Sequence, residues 1–219
     1  NGAWGLTAAT VGHARIYYHF GHRRVFLANQ LVDRQSIGWV LDTIRADPEF
    51  DFYALVDSEK GVDILERAIS EDPPGRPVQL LLELGYVGGR SGIRTDAGAM
   101  ALARRVAGSA GLALRGVEAF EGIVQGNADD ETRVGGLLGR LVHIARAADA
   151  EGLFEGRPIL SAGGSAFFDL VAGILACEEE ARRFQLLLRS GCYLVHDSNF
   201  YRRLVERMAA RSPAVASLG

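Results

Sequence analysis

The chain has 219 residues, of which 48% are apolar and 23% charged, and its 24 basic and 27 acidic side chains give a net charge of -3. This composition is typical of a soluble globular protein and excludes intrinsic disorder. No apolar run reaches the roughly 18 residues of a membrane span, and no signal peptide opens the chain. The slightly acidic balance disfavours a nucleic-acid-binding protein. Cys177 and Cys192 are too few for a disulfide scaffold and lack zinc-site spacing, so we expect a cytoplasmic protein.

Two details of the chain bear on any catalytic interpretation. The first residue is Asn1 rather than Met, and an apolar run follows at once, which suggests a fragment. Lys60 is the only lysine, so chemistry that requires a lysine amine has one candidate in this chain.

Short β-prone runs alternate with stretches of helical periodicity along the whole chain, which is the pattern of βα units in a parallel sheet. The predicted strands are Trp4–Ala8, Arg24–Ala28, Phe52–Val56, Val78–Leu84, Leu112–Ala119, Ile159–Ser161 and Phe184–Leu188. The predicted helices are Val11–Phe20, Ser36–Ala46, Ser58–Ser70, Asp96–Gly108, Asp130–Ala150, Phe168–Cys177 and Phe200–Ala210, the last of which Pro213 is expected to stop.

Seven units in this length give about 31 residues each, the repeat of a (β/α)8 barrel. We therefore predict an α/β fold, a TIM-type barrel whose first strand and helix precede Asn1. An open doubly wound sheet is the alternative, but no Gly-x-Gly-x-x-Gly turn follows the first strand.

Glycine-rich loops follow the last two predicted strands, where barrels often bind phosphate. Gly163 and Gly164 precede Ser165, and Gly191 precedes Cys192. Glycines let backbone N–H groups approach an anion closely, and a hydroxyl near a helix start adds a donor. Each loop by itself is also explained as a tight turn; the pair at adjacent strand ends favours phosphate binding.

A third glycine-rich loop follows Leu84 and carries Arg90 and Arg94. Guanidinium groups in such a loop can hold a phenolate, a carboxylate or a phosphate. The alternative is a surface loop in which Arg94 pairs with Asp96 and Arg90 is solvated.

Further polar residues follow other predicted strands. We expect Asp57 to cap the next helix, whereas Glu121 precedes a glycine loop and is less easily explained by capping. His196 with Asp197 is a possible acid/base pair, although a structural histidine is equally consistent with the sequence.

Taken together, these segments closely resemble the bacterial amino acid deaminases of the D-serine dehydratase/D-threonine aldolase family. The resemblance covers essentially the whole chain, in order. The motifs that carry it are Gly2–Thr7, Leu27–Val32, Leu55–Ser58, Gly88–Arg94, Phe120–Gly122 and Gly191–Asp197.

The resemblance implies an alanine racemase-type fold, in which a pyridoxal phosphate barrel is followed by a C-terminal β domain. Residues 1–219 would be one partial pyridoxal phosphate-binding barrel domain, containing strands two to eight. It implies that Gly163, Gly164, Ser165, Gly191 and Cys192 surround the cofactor phosphate, with Tyr193 in the same loop. Arg90 would lie near the phenolic oxygen, and Arg189 would face the pyridine nitrogen.

The resemblance also implies what this chain lacks. The family attaches the cofactor to a lysine at the end of the first strand, which would precede Asn1, and Lys60 does not match that position. A divalent metal, expected to be zinc, would be bound by the β domain after Gly219 and not by this chain.

The implied function is that of a pyridoxal phosphate-dependent lyase or deaminase acting on a small D-amino acid, as a dehydratase or an aldolase. The full-length protein would be a homodimer without nucleic-acid or membrane partners, and this chain alone would be inactive. One alternative is a non-catalytic pyridoxal phosphate carrier or pseudoenzyme. Another is a different phosphate-binding barrel enzyme that uses Glu121 and His196 as acid and base.

Overall fold

A computed structural model describes residues 2–122, 129–164, 166–175, 177–189, 191 and 198–217. The strands are β1 (Leu6–Ala8), β2 (Arg24–Gln30), β3 (Asp51–Val56), β4 (Val78–Leu84), β5 (Leu112–Ala119), β6 (Ile159–Ala162) and β7 (Gln185–Leu188). The helices are α1 (Val11–His19), α2 (Arg34–Ala46), α3 (Glu59–Glu71), α4 (Asp96–Ala107), α5 (Asp130–Ala150), α6 (Phe168–Leu175), α7 (Glu178–Arg183), α8 (Ser198–Arg211) and α9 (Pro213–Ala216).

Every strand pairs in parallel with the next strand along the chain, in the order β1 to β7. The sheet curls into a half-barrel with the helices on its outside, so the fold is a partial TIM-type barrel. This order excludes the doubly wound alternative, in which the strand order reverses at a switch point. No helix among the described residues is long and apolar enough to cross a membrane.

The two faces of the sheet are buried in different ways. The concave face, which we call the lumen, carries a small apolar cluster that includes Phe26, Tyr53, Leu81 and Ile159. The convex face packs against the helices through a much larger cluster. Because both faces are buried, the strands read as nearly continuous apolar runs, as expected for a parallel sheet.

Side chains in the loops after the strands cap the N-termini of four helices. Thr10, Asp33, Ser58 and Thr95 each accept a hydrogen bond from a backbone N–H in the first turn of the following helix. These caps satisfy donors that the helix itself leaves unpaired. Each helix start is thereby fixed at the carboxyl end of a strand, the end where barrel sites are built.

The predicted strands and the long helices are confirmed, with differences of one or two residues at several ends. The last predicted helix stops before Pro213, as expected, because α8 ends at Arg211. Pro213 then occupies the first turn of a further short helix, α9, with Ser212 as its cap, a position where the missing N–H of proline costs nothing. The short helix α7 was not predicted, because its six residues, Glu178–Arg183, are mostly charged and carry little apolar periodicity.

Gly116 marks the tightest approach between strands. The pairing of β4 with β5 shifts register beside it, from Leu80 opposite Leu114 to Leu81 opposite Gly116. On its other side, Gly116 pairs with Ile159 of β6, and a Cβ atom at Gly116 would overlap the Ile159 carbonyl oxygen. The bulge and the close approach therefore both require glycine at this position.

We predict that Gly116→Ala lowers the free energy of unfolding by about 2 kcal/mol or more, because backbone must move to admit the methyl group. Urea denaturation measures the change. Gly139→Ala in α5 is the control, since nothing lies within 4 Å of a Cβ there; we expect a gain of up to about 1 kcal/mol from helix propensity. Equal stability of the two variants would contradict the close approach at Gly116.

Candidate functional site

An ion pair between Glu118 and Arg189 lies at the carboxyl end of the sheet. Its side chains are 1% and 9% exposed, respectively. The Arg189 Nε donates to the Ser161 hydroxyl at 2.9 Å, and the guanidinium carbon lies 4.9 Å from the centre of the Phe26 ring. The pair thus links the ends of β5, β6 and β7 inside the lumen.

Burial raises the pKa of Glu118 to about 7, against the opposing effect of the Arg189 charge; the nearby carboxylates of Glu83 and Glu121 raise it further. A carboxyl group with a pKa near 7 exchanges its proton close to neutral pH. The carboxyl group of Glu118 therefore gains a proton at a higher pH than an ordinary glutamate does.

A second buried carboxylate, Glu83, lies at the end of β4. It is 4% exposed and accepts hydrogen bonds from the Gln30 amide and the Ser91 hydroxyl. It thereby connects the end of β2 to the loop after β4.

The third buried carboxylate, Glu121, binds the glycine turn after β6. It is fully buried; one of its oxygens accepts from the Gly163 N–H at 3.1 Å and the other from the Gly164 N–H. Burial raises the pKa of Glu121, and the hydrogen bonds to these N–H groups oppose that rise. The two successive N–H groups are therefore arranged to bind an oxyanion, and in this structure the oxyanion is the carboxylate of Glu121.

Residues larger than glycine do not fit at Gly164 of the turn or at Gly122 of the facing loop. A Cβ atom at Gly164 would lie 2.6 Å from the Gly122 Cα, and one at Gly122 would lie 2.8 Å from the Phe120 ring. The backbones of the loops after β5 and β6 are in direct contact, which places the N–H groups beside Glu121.

The loop after β4 is held from several sides. Arg94 donates to the carbonyl oxygens of Gly89, Ser91 and Gly92, and the Gly92 N–H donates to Asp57 at 3.2 Å. Arg90 extends from this loop with its guanidinium carbon 5.1 Å from the centre of the Phe120 ring. The charge of Arg90 also acts on Glu118, so Arg90 lies near the buried carboxylates of the site.

One expectation about this region is wrong, and so is the ion pair that the surface-loop alternative required. Asp57 does not cap α3; Ser58 does, because its hydroxyl accepts from the Gly61 N–H at 3.3 Å while Asp57 binds the loop after β4. Asp96 pairs with Arg140 of α5 instead of Arg94. In both cases a residue that is distant in sequence competes successfully for the side chain.

The structure thus brings together Arg189, Glu121, Gly163 and Gly164, with Arg90 at the edge of the group. Gly191 lies two positions after Arg189 and is exposed. The predicted site residues Ser165, Cys192, Tyr193 and His196 lie outside the described residues.

Sequence reasoning missed the roles of Glu83 and Glu118. Both are acidic residues near the ends of otherwise apolar strands, and that isolated charge within a buried strand was the available signal. No group of three or more side chains that could hold a metal ion occurs in the described part of the chain.

Comparison with solved structures agrees with the architecture: the fold is that of a partial alanine racemase-type (β/α)8 barrel. D-threonine aldolase from Filomicrobium marinum superposes with a TM-score of 0.71 at 20% identity, over 92% of this chain and 51% of that one. D-threo-3-hydroxyaspartate dehydratase from a Delftia species gives 0.64 at 19% identity, over 92% and 50%. PipY from Synechococcus elongatus, a COG0325 family member solved without PLP, gives 0.50 at 15% identity, over 84% and 87%.

The chain spans about half the length of the aldolase and the dehydratase that it matches. No protein-family model matches the sequence, and a search of curated proteins found no match. At these identities the likeness establishes the fold, and the chemistry has to be argued from the site.

We predict that Glu118 makes stability depend on pH between about pH 4.5 and pH 7. Its pKa is about 7 in the folded chain against an ordinary 4.5, so its stabilising contribution is complete below about pH 4.5 and is lost as the pH rises to about 7. Glu118→Gln does not titrate, and its free energy of unfolding should therefore fall less over this range. Urea denaturation at several pH values measures the slope.

The exposed residue Glu49 supplies the control, because Glu49→Gln should keep the slope of the parent chain. If Glu118→Gln kept it as well, Glu118 would not be the titrating group.

Proposed function

We propose that this chain is the cofactor-binding barrel of a pyridoxal phosphate-dependent lyase that acts on small D-amino acids, of the D-serine dehydratase or D-threonine aldolase type. The observation that carries the proposal is the oxyanion site formed by the Gly163 and Gly164 N–H groups at the end of β6. The aldolase and the dehydratase with this fold are both named for D-amino acids that carry a hydroxyl on the β-carbon.

The glycine turn fits a phosphate group. It already holds a carboxylate with both oxygens bound, and phosphate offers the same acceptor geometry. In the proposal, Gly163 and Gly164 hold the phosphate together with Ser165, Gly191, Cys192 and Tyr193. A phosphate on these N–H groups has to displace the Glu121 carboxylate from them.

The two arginines are assigned to the aromatic ring of the cofactor. Arg189, held by Glu118 and Ser161, would donate a hydrogen bond to the ring nitrogen, and Arg90 would lie near the phenolic oxygen. Because a guanidinium does not give up its proton, Arg189 would bind the ring nitrogen without protonating it. Glu118 fixes the direction of the guanidinium from the opposite side.

Pyridoxal phosphate supplies an electron sink for bonds broken at the α-carbon of an amino acid. Loss of the α-proton with departure of a β-hydroxyl is the dehydratase reaction, and cleavage between the α- and β-carbons is the aldolase reaction. The proposal assigns neither the covalent attachment nor the base to this chain, since Lys60 is exposed in the first turn of α3. We further propose that the full-length protein is a cytoplasmic homodimer and that any zinc is bound outside this chain.

We expect the full-length protein, supplied with pyridoxal phosphate, to release pyruvate and ammonia from D-serine or glycine and acetaldehyde from D-threonine. The L-enantiomers are the control and should react far more slowly. Coupled assays for pyruvate and acetaldehyde distinguish the two reactions. Cofactor binding without any product would favour the carrier, and absence of cofactor binding would refute the proposal.

The placement of the phosphate has its own test in Glu121→Gln. The variant keeps the shape of the side chain but removes a negative charge beside the phosphate, so we expect pyridoxal phosphate to bind at least about threefold more tightly at pH 8. Equilibrium dialysis measures the affinity. The matched control is Glu180→Gln, which changes a buried glutamate paired with Arg146 away from the strand ends. If Glu121→Gln and the parent chain bound the cofactor equally tightly, the phosphate would not lie at the glycine turn, although the cofactor would still bind.

A further inference from the structure

A cavity of about 340 Å³ lies between the loop after β4 and helix α5, on the outer side of that loop. We call it the arginine pocket. The residues that line it include Arg94, Arg133 and Arg140 together with Tyr86 and Leu137. A volume of this size accommodates a small organic molecule.

The positive charges of the pocket are incompletely balanced. Arg94 spends its hydrogen bonds on backbone carbonyl groups, and among the described residues no carboxylate lies within ion-pair distance of it. Arg133 is 42% exposed, and its ion pair with Asp130 spans 3.9 Å. Arg140 has a close carboxylate partner, Asp96.

Two of the guanidinium groups are also fixed in place. Arg140 donates through Nη1 to the carbonyl oxygens of Gly85 and Ile93 at 2.7 and 3.0 Å, while its buried Nη2 has no hydrogen-bond partner among the described residues. Arg94 is held by carbonyl groups of the same loop. Carbonyl dipoles orient a guanidinium without cancelling its charge, so Arg94 is already positioned for an anion, whereas the charge of Arg140 is shared with Asp96.

Apolar surface completes the pocket. The Arg133 guanidinium carbon lies 5.3 Å from the centre of the Tyr86 ring, and the side chain of Val87 at the rim is 86% exposed. Gly136 of α5 leaves the wall open, because nothing lies within 4 Å of a Cβ atom there. The lining therefore combines an oxyanion-binding end with a surface for a few carbon atoms.

We infer that the arginine pocket is a second ligand site, distinct from the site at the strand ends, and that it binds a small oxyanion, a phosphate ester or a carboxylate. The loop after β4 separates the two sites: Arg94 and Arg140 hold its carbonyl groups on the outer side, while its Ser91 hydroxyl donates to Glu83 in the lumen. A ligand in the pocket would therefore act on the loop that carries Arg90.

The test is calorimetric titration of the chain with inorganic phosphate and, separately, with succinate, at low ionic strength. Gly136→Glu places a carboxylate at the open wall without a backbone clash, and we expect it to weaken binding by about tenfold or more. Gly139→Glu adds the same charge to the same helix at an exposed glycine that does not line the pocket, and should change affinity by less than about twofold.

Arg133→Gln is a second variant, because Arg133 contacts the loop through the Tyr86 ring and not through the carbonyl groups that Arg94 and Arg140 bind, and it should weaken binding by about tenfold as well. The anion that binds more tightly identifies the ligand as a phosphate ester or a carboxylate. Two results would overturn the inference: no saturable binding of either anion by the parent chain, or binding that Gly136→Glu leaves at the level of Gly139→Glu. The latter would place the anion elsewhere, such as the glycine turn, where Glu121→Gln alters the affinity.

Discussion

The ion pair between Glu118 and Arg189 is the interaction on which the candidate site depends. Three carboxylates and one buried guanidinium converge where the parallel strands end, and removing one partner of such a pair typically costs about 3 to 5 kcal/mol, because the other charge is left buried. Glu118 and Arg189 are also separated in the sheet by β6, which contributes the Ser161 hydroxyl to the same network. The network therefore fixes the relative positions of three strand ends.

Charge balance in this region gives the carboxylates different roles. The oxygens of Glu83 and Glu121 accept hydrogen bonds from neutral donors. Glu118 instead forms an ion pair with Arg189 and has a pKa of about 7. A negative ligand that enters the site increases the repulsion among these groups. Protonation of Glu118, or displacement of Glu121 from the glycine turn, relieves that repulsion.

The loop after β4 connects this centre to the outer surface. On the lumen side, Ser91 binds Glu83; on the outer side, Arg94 and Arg140 bind the loop's carbonyl groups. Glycine permits this arrangement, since Gly88 and Gly92 have φ values of +81° and +84°. Polar contacts therefore hold the loop from both of its sides.

The sequence by itself determined the architecture. Alternating apolar runs and amphipathic segments predicted the seven strands in their order, and β4, β5 and α5 have the predicted ends, because strands and helices of this kind are specified by local periodicity. The glycines after β6 and the arginine of the loop after β4 were also visible as candidate site residues.

Only the tertiary structure decided how those residues are used. Gly163 and Gly164 bind Glu121, Asp57 binds Gly92, and Asp96 pairs with Arg140. Each partner lies more than 30 positions away in the chain, so no local pattern distinguishes it from a residue nearby. Burial made the same difference for Glu118: desolvation at the end of β5 shifts its pKa, and that environment exists only when the strands have assembled.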